Sequence, residues 1–237
     1  MIKVFLLGRP GCGKSTAFRH IEKLACSVGW SAVHLNDYDI LREMFHREQL
    51  FPSTQSKRRF RATEHGGFDV VDFSVLDEVL RELEKQVRKR YSQVDEVVVI
   101  EFARDNYDRA LQIFSSTFLQ DSYILFIESG LNVCLQRVCD RVAHPHSEDD
   151  HFVSEHIIRD YYQKQILPTH LKSGHSFHKG RITIVKNTAS KQSFLKNLSM
   201  LLEEILKSEG QTYTRSKLLL PFMKKHDPRL DKVAMEV

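Results

Sequence analysis

The sequence predicts a three-layer α/β/α fold built on a five-stranded parallel sheet, and two observations carry that expectation. Val97-Val98-Val99-Ile100 and Tyr123-Ile124-Leu125-Phe126-Ile127 are continuous apolar runs, the mark of parallel strands covered on both faces. Five runs of strand character, Ile2–Leu7, Ser31–Leu35, Glu96–Ile100, Ser122–Ile127 and Arg181–Val185, alternate with segments of helical spacing. The chain therefore reads as repeated β-α units, which place helices on both faces of one sheet.

The first strand runs directly into Gly8-Arg9-Pro10-Gly11-Cys12-Gly13-Lys14-Ser15, a complete G-x-x-x-x-G-K-S/T loop. Its glycines let the main chain wrap an anion with successive N–H groups pointing inward, and the following helix adds its partial positive charge. Lys14 can then reach the β and γ phosphates, and the Ser15 hydroxyl can bind Mg²⁺. The alternative, a chance glycine-rich turn, is opposed by context: Phe18, Ile21 and Leu24 follow at helical spacing. The second strand ends in Asn36-Asp37-Tyr38-Asp39, acidic residues suited to a helix start. A long helix is expected from about 70 to 89, with Leu76, Leu80 or Val79, Leu83 and Val87 as its apolar stripe and a charged, solvated opposite face. After the fourth strand, Leu131 to Arg141 reads as a helix. After the fifth, a helix from Ser193 to Lys207 carries Phe194, Leu198, Leu201 and Ile205 inward and is expected to end at Gly210.

Composition narrows the function classes. With 237 residues, 41% apolar and 28% charged, the chain has the make-up of an ordinary globular protein with room for one substantial domain and an appendage. Its net charge of +4 suits phosphorylated small molecules as well as polyanions. Four cysteines form no C-x-x-C pair, which favours free thiols in a reducing compartment. The opening apolar run is too short for a signal-peptide core or a membrane span, so a cytoplasmic location is the default expectation.

Residues about 2 to 200 resemble the small P-loop kinases, the superfamily of adenylate, shikimate and adenylylsulfate kinases and the kinase domain of polynucleotide kinase. Four places carry the resemblance: the phosphate loop, Asp37-Tyr38-Asp39-Ile40-Leu41-Arg42, Glu101-Phe102-Ala103-Arg104, and the helix bearing Arg137 and Arg141. It implies a P-loop NTPase fold with strand order 2-3-1-4-5 and a short helical lid. It also implies a phosphotransferase that uses ATP and Mg²⁺. By this likeness Gly8 to Thr16, Arg137 and Ala189 contact the nucleotide, the last through the loop after the fifth strand. Lys14, Arg137 and Arg141 neutralise the transferred group. The two arginines, four apart, share one helical face and suit bidentate phosphate contacts, a solvent-facing pair beside Asp140 being the alternative. Asp39 is the first choice for the base that takes the acceptor's proton, because its spacing to Arg42 matches; Asp37 is the second, as an outer ligand of Mg²⁺ or as nothing more than a helix cap. Glu101 is expected to orient Mg²⁺-bound water and Arg104 to contact the acceptor. The acid at 101 is Glu rather than Asp and its arginine is three residues on, so a nucleoside monophosphate acceptor does not follow.

An acceptor-binding insertion is expected at about 50–68. Its run Lys57-Arg58-Arg59-Phe60-Arg61 either clamps a phosphorylated acceptor or nucleic-acid end, with Arg58 and Arg61 as contacts, or is plain solvated surface. A lid is expected at about 141–152; its histidines show no metal-ligand spacing. The domain is expected to span 1–210, with 211–237 as a tail. The expected activity is phosphoryl transfer to a hydroxyl or phosphate of a small molecule. Two other readings are a polynucleotide 5′-hydroxyl kinase and an ATP-binding regulator with slow hydrolysis. No Asn-Lys-x-Asp motif is present, which disfavours a guanine-specific switch.

Overall fold

The computed structural model describes residues 1–51, 58–63, 67–91, 95–143, 153–163, 181–188 and 190–223. Five parallel strands form the central sheet: β1 (Ile2–Leu7), β2 (Ser31–Asn36), β5 (Glu96–Phe102), β6 (Ser122–Glu128) and β7 (Ile182–Lys186). Their order is β2-β5-β1-β6-β7. Counted among these five strands alone, that is the expected 2-3-1-4-5. The numbering shifts because a hairpin, β3 (Phe60–Ala62) with β4 (Phe68–Val70), intervenes as a separate antiparallel pair.

Alternation along the central strand builds two cores. Phe5 and Leu7 of β1 join one cluster with α2 (Asp37–Leu50), α3 (Ser74–Arg88), α4 (Tyr107–Leu111) and α5 (Ser116–Gln120). Ile2, Val4 and Leu6 join the other, with α1 (Lys14–Ser27) and α8 (Lys191–Met223). Every residue of β1 is buried, as a central strand with helices on both faces requires. Helix α3 buries Val75, Leu76, Val79, Leu80, Leu83 and Val87 along one face, each contributing roughly 1.5–3 kcal/mol of transfer free energy. The remaining helices are α6 (Leu131–Ala143) and the short α7 (Glu155–Asp160), joined by a small cluster of Leu135, Val138 and Ile158.

Two expectations are corrected. The described part of the basic run lies on a strand rather than a helix: Phe60 is fully buried and Arg59 bonds Glu48 at 3.1 Å, while Arg58 and Arg61 are solvated and Arg61 bonds Asp69 at 3.0 Å. Alternating Phe60 in and Arg61 out is strand chemistry, and it pins the hairpin to α2. Helix α8 also passes through Gly210 to Met223. One interior glycine costs about 1 kcal/mol relative to alanine, too little to stop a helix by itself. Lys57, the lid residues 144–152 and residues 224–237 lie outside the described residues.

Candidate active site

The C-terminal ends of β1, β2 and β5 meet in register, Leu7 opposite Phe102 and Asn36 opposite Glu101, so everything that follows those strands is delivered to one edge of the sheet. Open parallel sheets bind ligands at this edge, where the strand order reverses.

The phosphate loop is shaped from below and behind. Gly11 has φ +78°, and a Cβ there would run into the carbonyl oxygen of Cys134 on α6. Gly13, the N-cap of α1, has φ +109°, and a Cβ would lie 2.5 Å from the Asn187 side-chain nitrogen. Asn187 is buried and donates to the Cys12 carbonyl at 2.8 Å, so the loop after β7 buttresses the phosphate loop. The buried Tyr107 hydroxyl accepts from the Gly8 amide at 3.0 Å and the Arg104 amide at 3.3 Å, tying the loop's first glycine to the end of β5. Burial pushes the Cys12 thiol up to about 11, so this cysteine is a packing residue rather than a nucleophile.

Lys14 Nζ donates to the carbonyls of Gly8 at 2.9 Å and Arg9 at 3.0 Å, and stands 3.7 Å from Glu101. The other Glu101 oxygen lies 2.9 Å from His34 Nε2, and the His34 ring stacks on Phe18 at 4.3 Å. A chain of groups thus runs from His34 through Glu101 to Lys14 beneath the loop. His34 stood in plain view at the end of β2; its role was missed because no spacing rule pairs it with Glu101, a contact made across strands.

A cavity of about 300 Å³ opens here. Pro10, Gly11, Gly13, Lys14, Ser15 and Thr16 line its phosphate end. Arg137 and Arg141 both reach it from α6, and the Arg137 guanidinium lies 3.4 Å from the Gly11 carbonyl. Of the remaining predicted nucleotide contacts, Gly8 and Cys12 sit beneath the loop. Arg9 turns away: its guanidinium donates to the carbonyls of Tyr162, Ser129 and Gln163 at 2.9 to 3.1 Å. Ala189 lies outside the described residues.

Asp37 and Arg104 line the same cavity as a buried pair, 2.6 Å apart, with the Lys14 charge also acting on Asp37. Arg104 also donates to the carbonyls of Ala103 at 2.6 Å and Leu76 at 3.0 Å. Burial raises the Asp37 carboxyl above its ordinary value, opposed by the Arg104 charge, and Asp37 in turn holds Arg104 charged. Asp39 does not line the cavity. Asn36 is the N-cap of α2: its side-chain oxygen accepts from the Asp39 amide at 2.8 Å, and its amide donates to the Asp39 carboxylate at 2.8 Å. The first bond is the helix N-cap and the second joins the two side chains, and the Asp39 carboxylate lies 3.5 Å from Arg42. Capping by Asn36 makes Asp37 the first helical residue rather than the cap. Arg42, Arg58 and Arg61 are likewise absent from the cavity wall, and Arg61 acts on it only through Asp69.

The donor set fits a magnesium nucleotide: Ser15, Asp37 and Glu101 line the same cavity as Lys14 and the α6 arginines. No group of three His, Cys, Asp or Glu with metal-site geometry occurs among the described residues. No helix among them is long and apolar enough to cross a membrane.

Neither a family model nor a curated protein sequence matches the chain. Solved structures do. A sugar kinase from Janibacter sp. HTCC2649 superimposes with a TM-score of 0.51 at 11% identity, over 86% of this chain and 95% of its own. The chain shares the fold of that kinase. A gluconokinase from Sinorhizobium meliloti 1021 aligns with a TM-score of 0.48 and 13% identity, over 89% of this chain and 97% of its own. A shikimate kinase from Acinetobacter baumannii, in complex with shikimate, aligns with a TM-score of 0.44 and 17% identity, over 88% and 94%.

Proposed function

We propose that this protein is a kinase that moves the γ-phosphoryl group of ATP to a hydroxyl of a small acceptor. The observation that carries the reading is the convergence of the phosphate loop, the two α6 arginines and the buried Asp37–Arg104 pair on one cavity.

In this reading the acceptor oxygen forms a bond to the γ-phosphorus as the bond to the ADP oxygen breaks, and the hydroxyl proton passes to Asp37. A carboxylate raised above its ordinary value is a better proton acceptor near neutral pH, and Arg104 fixes its orientation. Lys14, Arg137 and Arg141 meet the charge on the transferred group. Magnesium, when bound through Ser15 with Asp37 and Glu101 beyond it, supplies further charge neutralisation. The expected location is the cytoplasm, and the expected partner is a small molecule.

The test is ADP release from Mg-ATP across a panel of small alcohols and nucleosides. Acceptor-stimulated release that Asp37→Asn lowers by about 100–10,000-fold, with ATP affinity kept, supports the reading. Turnover in Asp37→Asn equal to wild type would remove Asp37 from the chemistry. ADP release that no acceptor stimulates would favour the regulator.

A further inference from the structure

The acceptor end of the cavity is built from rings. Tyr38 of α2 stacks on Phe68 of β4 with centroids 5.6 Å apart and planes 3° from parallel. Phe73, at the start of α3, stacks on Tyr161, just after α7, at 5.2 Å and 24°. All four rings line the cavity, and Phe73 keeps 47% of its surface exposed there. Between the pairs lie aliphatic side chains such as Leu41, Val70 and Ile157, which offer no hydrogen bond.

The charged groups of this end are paired acid to base. Arg104 gives its two terminal nitrogens to Asp37 and two backbone carbonyls, while its Nε is buried without a partner among the described residues. Asp69, buried in the wall, accepts from Ser154 at 3.0 Å and from Arg61 at 3.0 Å. The two acids and two guanidiniums balance in charge, so this end offers a phosphate or carboxylate on the acceptor no net positive charge among the described residues. A polyol would strand several hydroxyls against aliphatic walls, each at the cost of its lost water.

We infer that the acceptor is an uncharged, flat ring compound bearing a hydroxyl, an aromatic alcohol or a nucleoside, held by the Tyr38–Phe68 and Phe73–Tyr161 pairs with its hydroxyl toward Asp37. This rests on the kinase reading above and names its substrate class. Ring faces and edges on the wall select a flat body through stacked or edge-on contact.

The experiment uses the full chain with Mg-ATP and two sets of probes: uridine, adenosine and pyridylmethanol against gluconate and AMP. Acceptor-stimulated ADP release is read beside saturation transfer from protein to probe by NMR. Ring alcohols are expected to bind and to stimulate release. Phe73→Ala and Tyr161→Ala are each expected to raise the acceptor KM by about 10-fold while leaving the ATP KM within about two-fold. Because Phe73 is half exposed, its alanine variant is the folded control, checked by an unchanged Tm. Ring compounds that bind without stimulating release would uphold the ring subsite and sink the kinase reading. Release driven by gluconate with none of the ring alcohols bound, or by AMP and not by adenosine, would uphold the kinase and overturn the uncharged ring subsite. Ring compounds silent in both measurements would overturn it as well.

Discussion

Asp37 and Asp39 stand two residues apart, and the start of α2 sends them to different sides of the protein. Asn36 caps the helix and exchanges hydrogen bonds with Asp39, so Asp39 is consumed by the helix end while Asp37 faces the cavity. This gives a pH prediction. Burial raises the Asp37 carboxyl, so activity should fall as pH drops through a value above the ordinary carboxylate range near 3.9. The acid limb of kcat/KM should therefore sit high in wild type and disappear in Asp37→Asn. The reverse expectation holds for Asp39→Asn: that variant should keep kcat and lose at most about 1 kcal/mol of stability from a weakened cap. A kcat collapse in Asp39→Asn with an intact Asp37 limb would contradict this placement. The distinction was legible in principle, since Asn36 is itself a favoured N-cap residue, which makes Asp37 the first residue of the helix. Spacing to Arg42 pointed the other way because it ignores which face of the helix each residue takes.

Elements with a clear period were legible and elements without one were not. The five sheet strands begin and end within two residues of their predicted bounds, because each is a short β-rich run set between segments of helical spacing. The hairpin and the short helices α4, α5 and α7 are only three to six residues long, too short for any periodicity to emerge. Yet these short pieces hold the site together. Tyr107, on α4, gives one hydroxyl to two buried amides, those of Gly8 and Arg104. Tyr107→Phe should leave both N–H groups unsatisfied at a cost of about 1–3 kcal/mol, seen as a Tm several degrees lower and weaker ATP binding. Arg9 does the equivalent task for α7 by holding the carbonyls of Tyr162 and Gln163 against the phosphate loop. Arg9→Ala should raise the acceptor KM more than the ATP KM, since the freed segment carries Tyr161 and Tyr162 of the acceptor wall. Equal changes in both constants in steady-state kinetics would assign Arg9 to the nucleotide instead.

At the scale of the molecule, the sheet order brings three strand ends to one edge, and the two cores on either side hold that edge fixed while separate segments furnish the ligand-facing residues. The scaffold half of that design is written in apolar runs and could be read directly. The acceptor half depends on contacts between Tyr38 and Phe68 or Asp37 and Arg104, separated by tens of residues, which no local pattern encodes. The division predicts how ligands stabilise the protein. Lys14 Nζ and the loop amides sit on the central strand's own connection to α1, so nucleotide binding clamps the element that both cores share. Mg-ATP at one hundred times its Kd should stabilise the fold by about 2.7 kcal/mol, or roughly 5–10 °C in Tm for a chain of this size. Lys14→Ala removes a charge that acts on the ligand and should leave the unliganded Tm within a few degrees, because its present partners are two carbonyls of the loop and an ion pair. The ATP-induced shift should nevertheless collapse, and kcat should fall by about 100–1,000-fold. Differential scanning fluorimetry with and without Mg-ATP separates the two effects: an undiminished shift in Lys14→Ala would mean that the nucleotide is held elsewhere than in the loop that opens this chain.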